Sequence, residues 1–310
     1  EGKRPAVINA EPLSGEWRAR VKLVETSMER FLRNIDLDTE LWQEKKKNDI
    51  VRVLCGNVPD INYRVFRATA TVEASPSRLF HLILDAKLTE RWNPSYSQFK
   101  TKKKLHGHPF ELIYLRTNPI GPISARDQVQ LRHWRTVNRP NGTTAYAATA
   151  VTIDWKDIPP QSGCVRAFTP PGGGFIIEPI PGKPDVCRMT NLMVADVKGW
   201  IPRGVLEMTI GGALFKFYTV DIPKALASPV GQDISQKQAD LYVQTLLGTP
   251  RNKNKNKSKS NNTTQNTPNT ENTTRGEPQP REAPAATGDT QQPRDQPRDQ
   301  PRDQPRDQPR

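Results

Sequence analysis

Cysteine is scarce, with three residues in 310: Cys55, Cys164 and Cys187. They form no C-x-x-C pair and leave one over, which argues against a disulfide framework or a zinc site and favours a reducing compartment. They read as small core fillers. Histidine is almost as rare, at four residues, and no G-x-S-x-G elbow occurs, so a hydrolase with an activated nucleophile finds no support. His106 and His108 of "HGH" share a strand face, but no nearby pattern of Cys, His or Asp completes a metal site. The glycines of "PPGGGF" are followed by no Lys-Ser/Thr, which makes them a turn rather than a phosphate loop. No run approaches the ~18 apolar residues of a membrane span, and the start "EGKRPAVINA" lacks the apolar core of a signal peptide. The expectation is a soluble, cytoplasmic chain with no metal and no cofactor, peripheral at membranes. Because it opens on Glu1 rather than Met, an upstream targeting segment stays open.

Large apolar side chains are nearly absent from about Thr249 onward, whereas before it they occur throughout. This divides the chain into an extension at 1–12, a globular domain at 13–248 and a low-complexity tail at 249–310. From Gln292 the unit Gln-Pro-Arg-Asp repeats four times before a final Gln-Pro-Arg. A proline in every unit forbids helix or sheet, so disorder is expected. The tail holds 12 Lys+Arg against 8 Asp+Glu, which leaves +9 of the formal +13 on the globular part. A basic surface favours lipid headgroups or nucleic acid. Nucleic-acid binding further needs aromatics among the basic residues, and "FKTKKKL" and the Lys/Asn tail have few, so it is disfavoured.

Residues 16–35 carry Trp17, Val21, Val24, Met28, Phe31 and Leu32 at helical spacing, which predicts an amphipathic helix. A charged stretch then leads to a strand near 50–54 and a β-rich segment at 63–74. Ser75 and Pro76 open a short helix. Seven strands are expected at 99–105, 110–116, 127–135, 143–155, 163–169, 174–178 and 186–197. Their spacing and turn residues indicate a largely antiparallel sheet. A long apolar helix follows from Pro202, and a weaker one spans 234–247. Gly211 and Gly212 inside the long helix should cost ~1 kcal/mol each relative to Ala. They mark either close packing on the sheet or a soft point that lets the helix move. The order of elements is α+β, with a curved sheet gripping the last long helix as one economical packing.

One stretch, "ISARDQVQLRHWR", poses a question of sides. Val129 and Leu131 alternate with Gln128, Gln130, Arg132 and Trp134. Either the aliphatic face is buried and Arg132 lies in water, or the polar face looks into a cavity.

That stretch, together with "GCVRAFTPPGGGFIIEPIPGKPDVCRMTNLMVADVKGWIPRGVLE" and the earlier "ERWNPSYSQF", resembles the START domain, the steroidogenic-acute-regulatory-related lipid transfer family. The shared features run in family order from about Leu41 to Ala227. The resemblance implies a helix-grip fold enclosing one lipid, and no catalysis. It carries the buried cavity arginine of cholesterol-binding members onto Arg132. The matching glutamate falls on Glu111, with Tyr114 or Arg116 as alternative wall residues because two extra residues precede the Arg-Asp pair. Gln130, Trp134, Asn191, Met193, Ile210, Leu214 and Phe217 are the further lipid-binding candidates. The loop at 116–124 lies where the family has a mobile segment, so Ile120 and Ile123 are expected at a membrane-touching gate, with Gly211 and Gly212 as its hinge. Lys102 to Lys104 would attract an anionic bilayer.

The expected function is a monomeric, non-enzymatic carrier or sensor of one sterol or phospholipid, with transient membrane contact. The alternatives are a helix-grip enzyme acting on a hydrophobic substrate and a scaffold acting through the repeat tail.

Overall fold

The structure is a computed structural model that describes residues 10, 12–37, 40–194 and 196–247. Of the two units into which the chain divides, Glu1–Lys255 and Asn256–Arg310, the second lies wholly outside the described residues. So do the expected repeat tail and most of the expected N-terminal extension.

Helix α1, Gly15–Asn34, starts where Ser14 caps the amide of Trp17, and it buries Val21, Val24, Met28 and Phe31 along one face. The strands are β1 (Trp42–Lys47), β2 (Val51–Gly56), β3 (Val65–Val72), β4 (Tyr96–Lys104), β5 (Phe110–Thr117), β6 (Arg126–Asn138), β7 (Thr144–Thr152), β8 (Val165–Arg166), β9 (Gly174–Ile180) and β10 (Lys183–Val194). They form one curved sheet in the order β1-β2-β3-β10-β9-β7-β6-β5-β4, with β8 joined to β6. Every pairing on that path is antiparallel, while β8 runs parallel to β6. The two edge strands are β1 and β4, and both are lysine-rich, which discourages pairing with another chain.

Helices α2 (Pro76–Leu84) and α3 (Ala86–Trp92) follow β3, capped by Ser75 and Asp85. Helix α4 (Arg203–Lys216) lies across β1, β2 and β3. It passes into a π turn, Phe217–Asp221, and then α5, Ile222–Ala227. Pro223 has no amide proton, and its ring would clash with the carbonyl four residues back in a regular helix; the widened turn relieves that conflict. The short α6 (Pro229–Gln232) leads to α7, Gln236–Leu247, which packs on α2.

Both faces of the sheet are covered. Val129 and Leu131 of β6 pack with Val21 and Val24 of α1 in one cluster. On the opposite face the apolar side chains of β2, β3 and β10 meet α2, α4 and the π turn.

Candidate functional site

Two chambers of about 290 and 310 Å³ lie between the inner face of the sheet and the helices that cover it. They share Asn93, Tyr96, Gln128, Asn191, Met193 and Phe217 on their walls, so they form one continuous cavity. The inner chamber is bounded by Trp92, Phe99, Ile113 and Phe175 with Arg132 and Gln130 among them. The outer chamber opens between the loop at 118–124 and α4, whose Ile210 and Leu214 line it.

Alternation on β6 decides the question of sides: Gln128, Gln130 and Arg132 line the cavity, and Val129 and Leu131 turn to α1. Register then brings Arg132 directly opposite Glu111 on β5. The two side chains form an ion pair, 8% and 6% exposed. Arg132 also donates to the Leu84 carbonyl at the end of α2 (2.7 Å), and Thr101 Oγ1 donates to Glu111 Oε2 (3.0 Å). The guanidinium lies 5.3 Å from the centre of the Phe99 ring. Its Nε is buried without a hydrogen-bond partner. A lone buried charge would be costly, and pairing with Glu111 removes most of that cost.

Not every expected wall residue reaches the cavity. On β5 the inward positions are Ile113, Leu115 and Thr117, and Glu111 shares their parity, held behind Arg132. Tyr114 and Arg116 have the opposite parity and face away, a correction that follows from the two-residue period of an unbroken strand. Tyr114 sits in the cluster beneath α1, its hydroxyl 3.5 Å from Asp127 Oδ2, and burial pushes its pKa up. Trp134 shares the inward face of β6, but it lies beyond Arg132 under α7, where its indole donates to the Leu246 carbonyl (3.1 Å). It therefore seals the inner end instead of lining the cavity. Asn191 and Met193 of β10 and Phe217 of the π turn line both chambers. Gln128, on the polar side of β6 that was expected to face a cavity, lines both chambers. Asn93, Tyr96, Phe99, Arg126 and Thr169 also line the cavity and were not among the expected binding residues.

At the mouth, Ile120 and Ile123 form a two-bond β-bridge (2.9 and 3.0 Å) around Gly121, whose φ of 56° suits glycine. Ile123 is buried and Ile120 is 36% exposed. Arg126 straps this loop to the segment before α4. It donates to the carbonyls of Ser124 (2.6 Å), Val197 (2.8 Å) and Lys198 (3.2 Å). Trp200 of that segment is 92% exposed, and Met208 on α4 is 69% exposed. Lys102 to Lys104 are elsewhere: Lys104 pairs with Glu111, whereas the mouth adjoins Tyr96 and Thr117 at the other end of the hairpin. Six residues of strand separate the two ends by about 20 Å. The expected electrostatic lure is therefore not at the gate.

Close packing does not explain the glycine pair in α4. A Cβ at Gly212 would meet nothing within 4 Å, and one at Gly211 would make an ordinary contact of 3.6 Å with Lys45. Helix α4 is instead held by Glu207, which accepts from Lys45 (2.7 Å) and Arg203 (2.9 Å) and forms an ion pair with Arg64 (2.8 Å). Burial alone would raise the Glu207 pKa, but these cations outweigh it and hold the carboxyl at about 2.

Among the described residues no cluster of three His, Cys, Asp or Glu could hold a metal, and no helix is long and apolar enough to cross a membrane. His106 belongs to the turn between β4 and β5. The residues lining the two chambers include no His, Cys, Asp, Glu or Lys.

Comparison with known proteins gives a consistent picture. The START domain family model matches residues 22–220. The chain is 26% identical to human mitochondrial steroidogenic acute regulatory protein over 60% of its own length and 64% of that protein's, just under two thirds of the relative. It is 25% identical to the mouse counterpart over 73% and 78% of the respective chains. Among solved structures, human StAR-related lipid transfer protein 5 superimposes with a TM-score of 0.58 at 20% identity, covering 67% of this chain and 96% of that one. At that identity the likeness shows the fold.

Proposed function

The chain belongs to the START domain family, and from that premise we propose that it binds one lipid in the continuous cavity and exchanges it with membranes. The observation that carries this reading is a mainly apolar enclosure whose one charged group at the inner end, Arg132, is already neutralised by Glu111. A neutral inner end gives a phosphate no net positive charge to meet. It suits a hydroxyl, which can accept from the Arg132 guanidinium on the cavity wall. A sterol is therefore favoured over a phospholipid. The name of one relative, steroidogenic acute regulatory protein, is in keeping with that choice.

Carriage is favoured over turnover because the lining holds serine, threonine and tyrosine hydroxyls but no His, Asp, Glu or Lys that would activate one. Entry is assigned to the gap between the Ile120–Ile123 loop and α4. Ile120, Met208 and Trp200 are exposed around that gap and would enter the bilayer interface, where tryptophan is at home. No charged cluster is invoked: near the mouth Lys198 pairs with Asp196 and Arg203 with Glu207, and the Arg126 guanidinium is engaged by the carbonyls of Ser124, Val197 and Lys198.

Native mass spectrometry of the purified full chain, followed by transfer of labelled sterol between vesicles, tests the reading. One lipid should co-purify or load at one per chain and move unchanged between vesicles. Changing Trp200 to Ala should slow transfer more than it weakens equilibrium binding. No lipid uptake under either assay, or a chemically altered product, would overturn the proposal.

A further inference from the structure

A second polar station lies along the same wall as Arg132. Gln128 and Gln130 are each 8% exposed, and both line the inner chamber with Thr169. The three side chains close on one another. Gln130 Nε2 donates to Gln128 Oε1 and to Thr169 Oγ1 (2.9 Å), and Thr169 Oγ1 donates to Gln128 Oε1 (2.8 Å). This triad uses the carbonyl of Gln128 and the amide nitrogen of Gln130. It leaves the Nε2 of Gln128 and the Oε1 of Gln130 outside the triad, one donor and one acceptor from successive inward positions of β6. Turning both amides over exchanges their roles and leaves the same pair.

Such a pair matches a group that both accepts and donates, which a hydroxyl does. The strand fixes its place: Gln130 lies two residues and Gln128 four residues from Arg132, about 7 and 13 Å along β6. The two stations are therefore far enough apart to read two different oxygens of one rigid lipid. An apolar wall at Gln128 and Gln130 would penalise a second hydroxyl, and a polar wall penalises its absence, because buried amide groups are left unpaired.

Resting on the lipid-cavity reading above, we infer that the preferred ligand is a doubly oxygenated lipid, with one hydroxyl at Arg132 and a second, about 7–13 Å away, at Gln128 and Gln130. The inner station holds either sterol end; the outer one discriminates.

Androstanol and androstanediol, which differ only in a hydroxyl on ring D, test this by equilibrium binding to the full chain. The diol should bind roughly tenfold more tightly. In Gln128→Leu/Gln130→Leu that ratio should fall to one or below while androstanol is still bound. Equal affinities in the unmodified protein, or a diol preference that survives in the double variant, would overturn the inference. Should the variant fail to fold, the comparison in the unmodified protein decides alone. If neither steroid nor any other lipid binds, it is the cavity reading that fails, and this inference with it.

Discussion

Removing one member of the Arg132–Glu111 pair strands the other as a charge in a cavity wall, where breaking a buried pair costs about 3–5 kcal/mol. Arg132→Met should be destabilised by that order, since Glu111 keeps only the Thr101 hydroxyl. The double variant Arg132→Met/Glu111→Leu should recover most of the loss, because no buried charge remains, yet it should still bind a hydroxylated lipid poorly. Urea denaturation of the two variants checks the first half; equal instability of single and double would show that Glu111 is not the liability. The alternation that puts Arg132 on the cavity side was legible in "QVQLRHW", since a two-residue period survives in any regular strand. Its partner was legible only through the resemblance. The pairing of Glu111 with Arg132 depends on register across the loop at 118–125, and periodicity carries no information on register between strands. The same period could have excluded Tyr114 and Arg116, which differ from Glu111 in parity.

At the scale of elements, α4 combines a firm anchor and a weak middle. Glu207 ties its first turns to β1 through Lys45 and to the segment before β3 through Arg64. Gly211 and Gly212, which nothing in the packing requires, lower helix propensity beside the mouth residues Ile210 and Leu214. Gly212→Ala should raise stability by about 1 kcal/mol and the melting temperature by about 2–4 °C. If α4 must yield for lipid to pass, the same change should slow exchange between vesicles about fivefold. A higher melting temperature with an unchanged exchange rate would remove the hinge role. Most elements were readable from period and capping, as with Ser75 before α2. β1 was missed because its "WQEKKK" is an edge strand in which no residue is fully buried, so no apolar face marks it. Most of the expected strand at 163–169 is irregular: only Val165 and Arg166 pair with β6, and Arg166 is held there by Asp127 (2.9 Å).

For the molecule as a whole, acid should act in two separate steps. His133 of β6 is buried, and burial lowers its pKa from the ordinary 6.5 to about 4 despite its contact with the Pro109 carbonyl. Its neutral form is thus favoured in the fold, while the unfolded chain takes up a proton near 6.5. The resulting stability is complete above about pH 6.5 and is lost as pH falls toward 4, up to ~3 kcal/mol. His81, stacked on Tyr242 between α2 and α7, is pushed in the same direction by burial. Glu207 acts lower. Its carboxyl, held at about 2 against an ordinary 4.5, contributes stability above pH 4.5 that is lost between there and 2. The first step therefore concerns the sheet and α7, and the second concerns the anchor of α4. Urea midpoints should fall between pH 7 and 5 in the unmodified protein. In His133→Asn, which keeps a donor for Pro109 and cannot titrate, that fall should shrink to the share owed to His81. A pH slope in His133→Asn as steep as in the unmodified protein would show that His133 is protonated alike in the folded and unfolded chains.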